Sequence, residues 1–213
     1  KKIMEFALSE EQGILSESIK KMFDENVGID NLRDHSKGDK SLRKTIRRSI
    51  IDMGLPGLMI PEEYGGSGLG VLEASLVAEQ IGSYSVPSPW IGNSIMAPTA
   101  ILFEKDNHLT EKWLPLIASG EITACISLSE VIGKRGDLGL TVNGDKVSGI
   151  NIFGIDGELD PAIIITAVNN NLILIETDNN GVEINEIPTI DSTRPVVEII
   201  FDSSNYVIIP GGK

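Results

Sequence analysis

The stretch Ser119-Gly-Glu-Ile-Thr-Ala-Cys-Ile-Ser-Leu128 divides the chain into two regimes of hydrophobic period. Before it, apolar residues recur at helical spacing. Ser9 stands as a helix N-cap with Gln12 in the capping-box position, and Leu15, Ile19 and Met22 follow on one face. Leu42, Ile46, Ile50 and Met53 mark a second helix that Gly54 ends. A third runs from about Val71 to Ile81, apolar on more than one side, with Gly82 as its stop. Asn93 and Thr110 read as caps of two further helices, the last holding Pro115 in its first turn.

After Gly120 the apolar runs are short and β-branched: Ile122 to Leu128, Ala162 to Val168, Leu172 to Ile175, Val182 to Ile187 and Val196 to Phe201. Asn143-Gly144, Asn169-Asn170-Asn171 and Asp178 to Gly181 separate strand-like segments as turns. With no helical period between them, such runs predict an antiparallel sheet pair or barrel. The expected fold is α+β: an all-helical domain over residues 1–120, then an antiparallel β-barrel or sandwich over 121–213.

Charge excludes one class of function. The 213 residues carry 31 acidic against 18 basic side chains, a net −13, where nucleic-acid binding requires clustered cations. The basic run from Lys37 to Arg48 reads as the solvated face of a helix. The single cysteine, Cys125, forms no internal disulfide, and no apolar run reaches the length of a membrane span. The expectation is a cytoplasmic protein without membrane insertion.

Several motifs fall short of the chemistry they imitate. Gly65-Gly-Ser-Gly-Leu-Gly70 lacks the third glycine of a dinucleotide loop, where Val71 stands, and reads as a tight entry into the third helix. His35 and His108 are isolated, so no metal site is expected. Asp156-Gly-Glu-Leu-Asp160 and Asp178-Asn-Asn-Gly181 lack the ligand spacing of a calcium loop and read as surface turns.

Three segments, in order, resemble the acyl-CoA dehydrogenase family. Met53-Gly-Leu-Pro-Gly-Leu-Met-Ile-Pro-Glu-Glu-Tyr-Gly-Gly-Ser-Gly-Leu-Gly70 is similar to the family's G-L-x-G-L-x-x-P-E-E-Y-G-G-x-G stretch. Ala124-Cys-Ile-Ser-Leu-Ser-Glu130 is similar to its flavin strand. Asp191-Ser-Thr-Arg-Pro195 with Val197-Glu-Ile-Ile-Phe-Asp202 looks like the end of the middle β domain in divergent bacterial members.

The resemblance implies FAD, an acyl-CoA thioester substrate, a homo- or hetero-oligomer, and reoxidation by an electron-transfer flavoprotein. It implies α,β-dehydrogenation, with a carboxylate base from a third, helical domain that these residues do not include. No catalytic residue is therefore assigned. Ile126, Leu128 and Ser129 match one flavin strand, with Ser129 keeping the hydroxyl of a family threonine. Phe153 and Ile155 match the second, with Ile155 where the family places a hydroxyl. Gly133, Lys134 and Arg135 fall where the family contacts flavin and pantetheine, and the two cations are candidates for CoA phosphates. The altered 131–137 segment leaves a non-catalytic subunit of a heteromeric enzyme as the alternative.

Overall fold

The computed structural model describes residues 7–103, 108–128, 138–178, 181–191 and 193–210, with Leu159 described by its backbone alone. Helix α1 (Glu10–Asn26) begins as its sequence dictates. The Ser9 hydroxyl accepts from the Gln12 amide at 3.2 Å, and the Gln12 side chain accepts from the Ser9 amide at 2.9 Å. Helix α3 (Ser41–Asp52) buries Leu42, Ile46 and Ile50, and Gly54 follows in the left-handed region, φ 70°. Helix α4 spans Val71–Ser83, so Gly82 lies inside its last turn rather than stopping it. A capping interaction joins the two N-termini: the Gln12 side-chain amide donates to Glu73 at 2.8 Å.

The glycine-rich loop is the tight entry that its residues predict. The amides of Ser67, Gly68 and Leu69 donate to the carbonyls of Gly57, Ile60 and Leu58, folding the loop back on the preceding 3-10 turn. A Cβ at Gly66 would stand 2.0 Å from the Ile60 carbonyl oxygen, so only glycine fits there.

Four helical expectations require correction. A short helix α2 (Ile29–Ser36) precedes α3, and Gly28, its N-cap, supplies no side-chain bond that would have announced it. Asn93 caps nothing: it lies inside a π-helix, Ile91–Met96, which runs into helix α5 (Ala97–Ile101). Helix α6 (His108–Ala118) starts ahead of Thr110, which places Pro115 inside it. Burial of Trp113, Leu114 and Ile117 offsets the backbone bond that proline cannot donate. Finally, the Lys37–Arg48 run is not wholly solvated, since Arg43 is only 6% exposed.

The strands are β1 (Ala124–Ser127), β2 (Gly139–Asn143), β3 (Lys146–Ile155), β4 (Ile163–Val168), β5 (Asn171–Glu176), β6 (Val182–Ile187), β7 (Val196–Asn205) and β8 (Val207–Ile209). Left-handed Asn169 and Asn170 close the β4–β5 hairpin, as their residue types allow. The strand order is β6-β7-β3-β1-β4-β5-β8, with β2 also paired to β3.

Two features depart from the expected barrel. The sheet is mixed, because β1 and β4 run parallel. It also stays open, with no pairing of β6 to β8 among the described residues. Alternation of apolar residues cannot distinguish these cases, because either strand direction presents the same faces.

β1 sits at the centre, and its alternating side chains serve two cores. Ala124 and Ile126 face α5 and α6, packing with Ile101, Trp113, Leu114 and Ile117. Cys125 faces the other way, into a core with Val147, Ile173, Val197 and Ile199 where the sheet curls over itself. A third core lies among α1, α3 and α4 around Phe23, Ile46 and Trp90.

Candidate functional site

Two strands meet where β1 ends. β1 pairs with β3 antiparallel through Ile126–Ile155 and Ser127–Gly154, which carries Leu128 and Phe153 to adjoining positions at the strand ends. Here β3 departs from regular pairing. Its register with β7 shifts between Asn151 and Gly154, and Phe153 takes a left-handed φ of 61°. A non-glycine residue in that region carries strain, and β-bulges re-aim side chains beside functional sites. The bulge is packed tightly from beneath. A Cβ on Gly154 would come within 2.5 Å of Val197 Cγ2 and 3.2 Å of Cys125 Sγ.

The ledge so formed is half-buried and apolar, with Leu128, Phe153 and Ile155 all partly accessible. Ile126 is 5% exposed, its side chain belongs to the core against α5 and α6, and its backbone lies between β3 and β4, paired with Ile155 and Ile165, so it is not on the ledge surface. The hydroxyl of Ser127, beside the ledge, is buried with no hydrogen-bond partner among the described residues. Ser129, Gly133, Lys134 and Arg135 lie outside the described residues.

The far side of this junction holds a constellation that sequence reasoning missed. Asp156 follows Ile155 directly and is 6% exposed, so it is no surface turn residue. Its carboxylate accepts from the amides of Gly92 at 2.7 Å and Asn93 at 3.0 Å, in the π-helix. Asn93 in turn accepts from the Ala124 amide of β1 at 2.9 Å. Burial raises the Asp156 carboxyl to about 7; the two amides pull it down and nearby Glu158 pushes it further up. Burial also raises the Cys125 thiol well above its ordinary value, which makes it an inert packing group. In the sequence Asn93 reads as a helix cap and Asp156 as part of a surface turn, so neither announces the network. Among the described residues no three side chains are grouped to hold a metal ion.

Residues 9–121, over half of the chain, match the family described as "Acyl-CoA dehydrogenase, N-terminal domain", and the chain belongs to this family. It is 32% identical over 126 residues to the mitochondrial isovaleryl-CoA dehydrogenase of Pongo abelii, covering 58% of this chain and 30% of that protein. The structure of a glutaryl-coenzyme A dehydrogenase glutaryl-CoA complex superposes with a TM-score of 0.82 at 20% identity, over 98% of this chain and 59% of the other. An acyl-CoA dehydrogenase complexed with FAD, from Bacillus anthracis, gives a TM-score of 0.75 at 17% identity, over 98% and 38%. The chain therefore spans less than two thirds of the length of these proteins. Among the described residues, no helix is long and apolar enough to cross a membrane.

Proposed function

We propose that the chain forms the helical and sheet portion of an FAD-dependent acyl-CoA dehydrogenase. The observation that carries this reading is the β1–β3 junction, which brings Leu128, Phe153 and Ile155 to one half-buried ledge. The residues present fit a flat heteroaromatic ring: two apolar side chains form a wall, and the ends of two strands lie beside them. When bound there, FAD supplies the hydride acceptor for α,β-dehydrogenation of an acyl-CoA thioester. Leu128 and Phe153 would hold the ring and keep water from its face, and Gly154 is packed closely against Val197 and Cys125 beside them. Ile155 offers no hydrogen-bond donor to a ring edge, which leaves that task to backbone amides.

Removal of the α-proton requires a carboxylate within hydrogen-bond reach. Glu62 and Glu63 are exposed on the 3-10 turn before the glycine loop, and Glu130 lies outside the described residues. We assign the base to a segment beyond these 213 residues, and electron delivery to an electron-transfer flavoprotein.

The test titrates the complete protein with FAD, following flavin absorbance and fluorescence. Retained flavin is expected, with Phe153→Ala weakening it about tenfold, in line with an aromatic contact worth roughly 1 kcal/mol or more. A complete protein that takes up no FAD overturns the reading. That result would favour a second one, a non-catalytic subunit of a heteromeric enzyme, which the apolar Ile155 supports.

A further inference from the structure

The helical segment turns a basic stripe toward the sheet. Lys40 is the N-cap of α3, and Arg43, Lys44 and Arg47 stand three, four and seven residues after it, on one face. All four line a cleft of about 360 Å³ whose other wall includes Glu121, Glu158 and Asp160. Lys40 and Arg43 also line a second cleft of about 350 Å³, with His35, Ser36, Glu186 and Thr189. The two clefts adjoin along Lys40 and Arg43, and together they are called the groove. In a chain of net charge −13, this concentration of cations against a groove wall is conspicuous.

Several polar groups of the groove are buried and unpaired among the described residues. Arg43 is 6% exposed, and its Nε and Nη1 atoms are buried with no hydrogen-bond partner among the described residues. His35 is 5% exposed; its Nδ1 lies 2.9 Å from the Asp39 carbonyl, so Nδ1 carries the hydrogen and Nε2 of the neutral ring is an acceptor. That Nε2 has no partner among the described residues, and neither has the buried Oε2 of Glu158. Buried polar groups left unpaired are costly, and such a set on one groove points to a ligand that completes it.

The chemistry of the ligand follows from the arrangement. Lys40 and Arg43 bring two cations to the second cleft and His35 Nε2 an acceptor, which suits a phosphate that still carries one hydroxyl. The one carboxylate there, Glu186, is already drawn to Lys40 at 3.6 Å. Beyond Arg43 the first cleft changes character, since three carboxylates balance its cations. An unpaired carboxylate oxygen in such a place accepts from hydroxyls, as acidic residues do with ribose.

We propose that this groove binds a small phosphate monoester bearing hydroxyl groups, with its phosphate oxygens on Lys40 and Arg43, a P–OH donating to His35 Nε2 and a sugar hydroxyl donating to Glu158. The phosphate end of the groove shares no residue with the flavin ledge, and Glu158 at its other end lies three residues beyond Ile155. The inference therefore stands apart from the acyl-CoA dehydrogenase reading.

The test titrates the complete protein with inorganic phosphate and with ribose 5-phosphate at low ionic strength, by calorimetry and by amide chemical shifts. Both are expected to saturate, ribose 5-phosphate about tenfold more tightly, with shifts at residues 35–47. Arg43→Gln is expected to weaken both by about tenfold or more, the value of one charge-assisted hydrogen bond. Glu158→Gln is expected to leave phosphate within about twofold and to erase most of the preference for the sugar phosphate. Lys40→Ala removes an exposed side chain and serves if the Arg43 variant does not fold; a loss of about threefold or more is expected. Absence of saturation up to about 10 mM ligand, or equal binding by wild type and both cation variants, overturns the proposal.

Discussion

Gly66 shows how much a single position can determine. Its absent side chain lets the loop pass against the carbonyls of Gly57 and Ile60, where an added Cβ would lie 2.5 Å and 2.0 Å away. Gly66→Ala must therefore open the loop. A loss of about 2–4 kcal/mol is expected, read as a lowered denaturation midpoint with an unchanged slope. Asp156 acts through charge instead. Its folded pKa, about 7, lies above the ordinary 3.8 of an unfolded aspartate. It thus favours folding fully below about pH 4, and this contribution disappears as pH rises through 7. Between those limits stability should fall with pH by up to about 1.4 kcal/mol per unit from this one proton. Glu158, also raised by burial, adds in the same direction. Asp156→Asn keeps an oxygen for the Gly92 and Asn93 amides and should flatten that slope in urea titrations run from pH 5 to 8. A slope unchanged by the substitution would assign the dependence elsewhere.

At the scale of elements, the sequence was legible wherever a local rule acted alone. The Ser9–Gln12 box, the apolar face of α3 and the Asn169–Asn170 turn are each decided within a few residues, and each appeared in place. The illegible features depend on distant partners. The π-helix at Ile91–Met96 exists where Gly92 presses on the Ile155 carbonyl and Asp156 receives two amides, a contact over sixty residues of chain. The parallel β1–β4 pairing was hidden because both strands are buried and show the same apolar run in either direction. Arg43 was read as solvated because a basic run looks alike whether it faces water or a groove. The ledge was half legible: family resemblance located Phe153 and Ile155, and no pattern in the residues foretold the bulge that turns Phe153. If the π-helix is held by its side-chain bridge, Asn93→Ala should cost about 1–3 kcal/mol, the penalty for orphaning a buried amide. It should also speed hydrogen exchange at Ala124 above that at the neighbouring Ile126. Equal acceleration along the whole strand would mean global rather than local loosening.

For the molecule as a whole, the change of period at Gly120 and the division of the core do not coincide. Ile101, Trp113, Leu114 and Ile117 come from helices, yet they pack with Ala124, Ile126, Ile163 and Leu174 of the sheet. The Arg47 guanidinium adds a 3.0 Å bond from α3 to the Gly120 carbonyl, across the same seam. We propose that residues 1–120 and 121–213, distinct in pattern, unfold together. A single transition by both circular dichroism and tryptophan fluorescence is the expected result, with Trp113 reporting from the shared core. Two separated transitions would show independent halves.

The shared core also bears on how relatives of this chain exchange parts. A chimera joined at Gly120 would set a foreign sheet against helices shaped for another one, with Trp113 and Ile163 both mismatched. The workable crossover lies earlier, in Val86-Pro-Ser-Pro89, so that the π-helix, α5 and α6 travel with the strands they cover. By its packing, the unit that would transfer intact starts about 35 residues before the first strand, at Ala124.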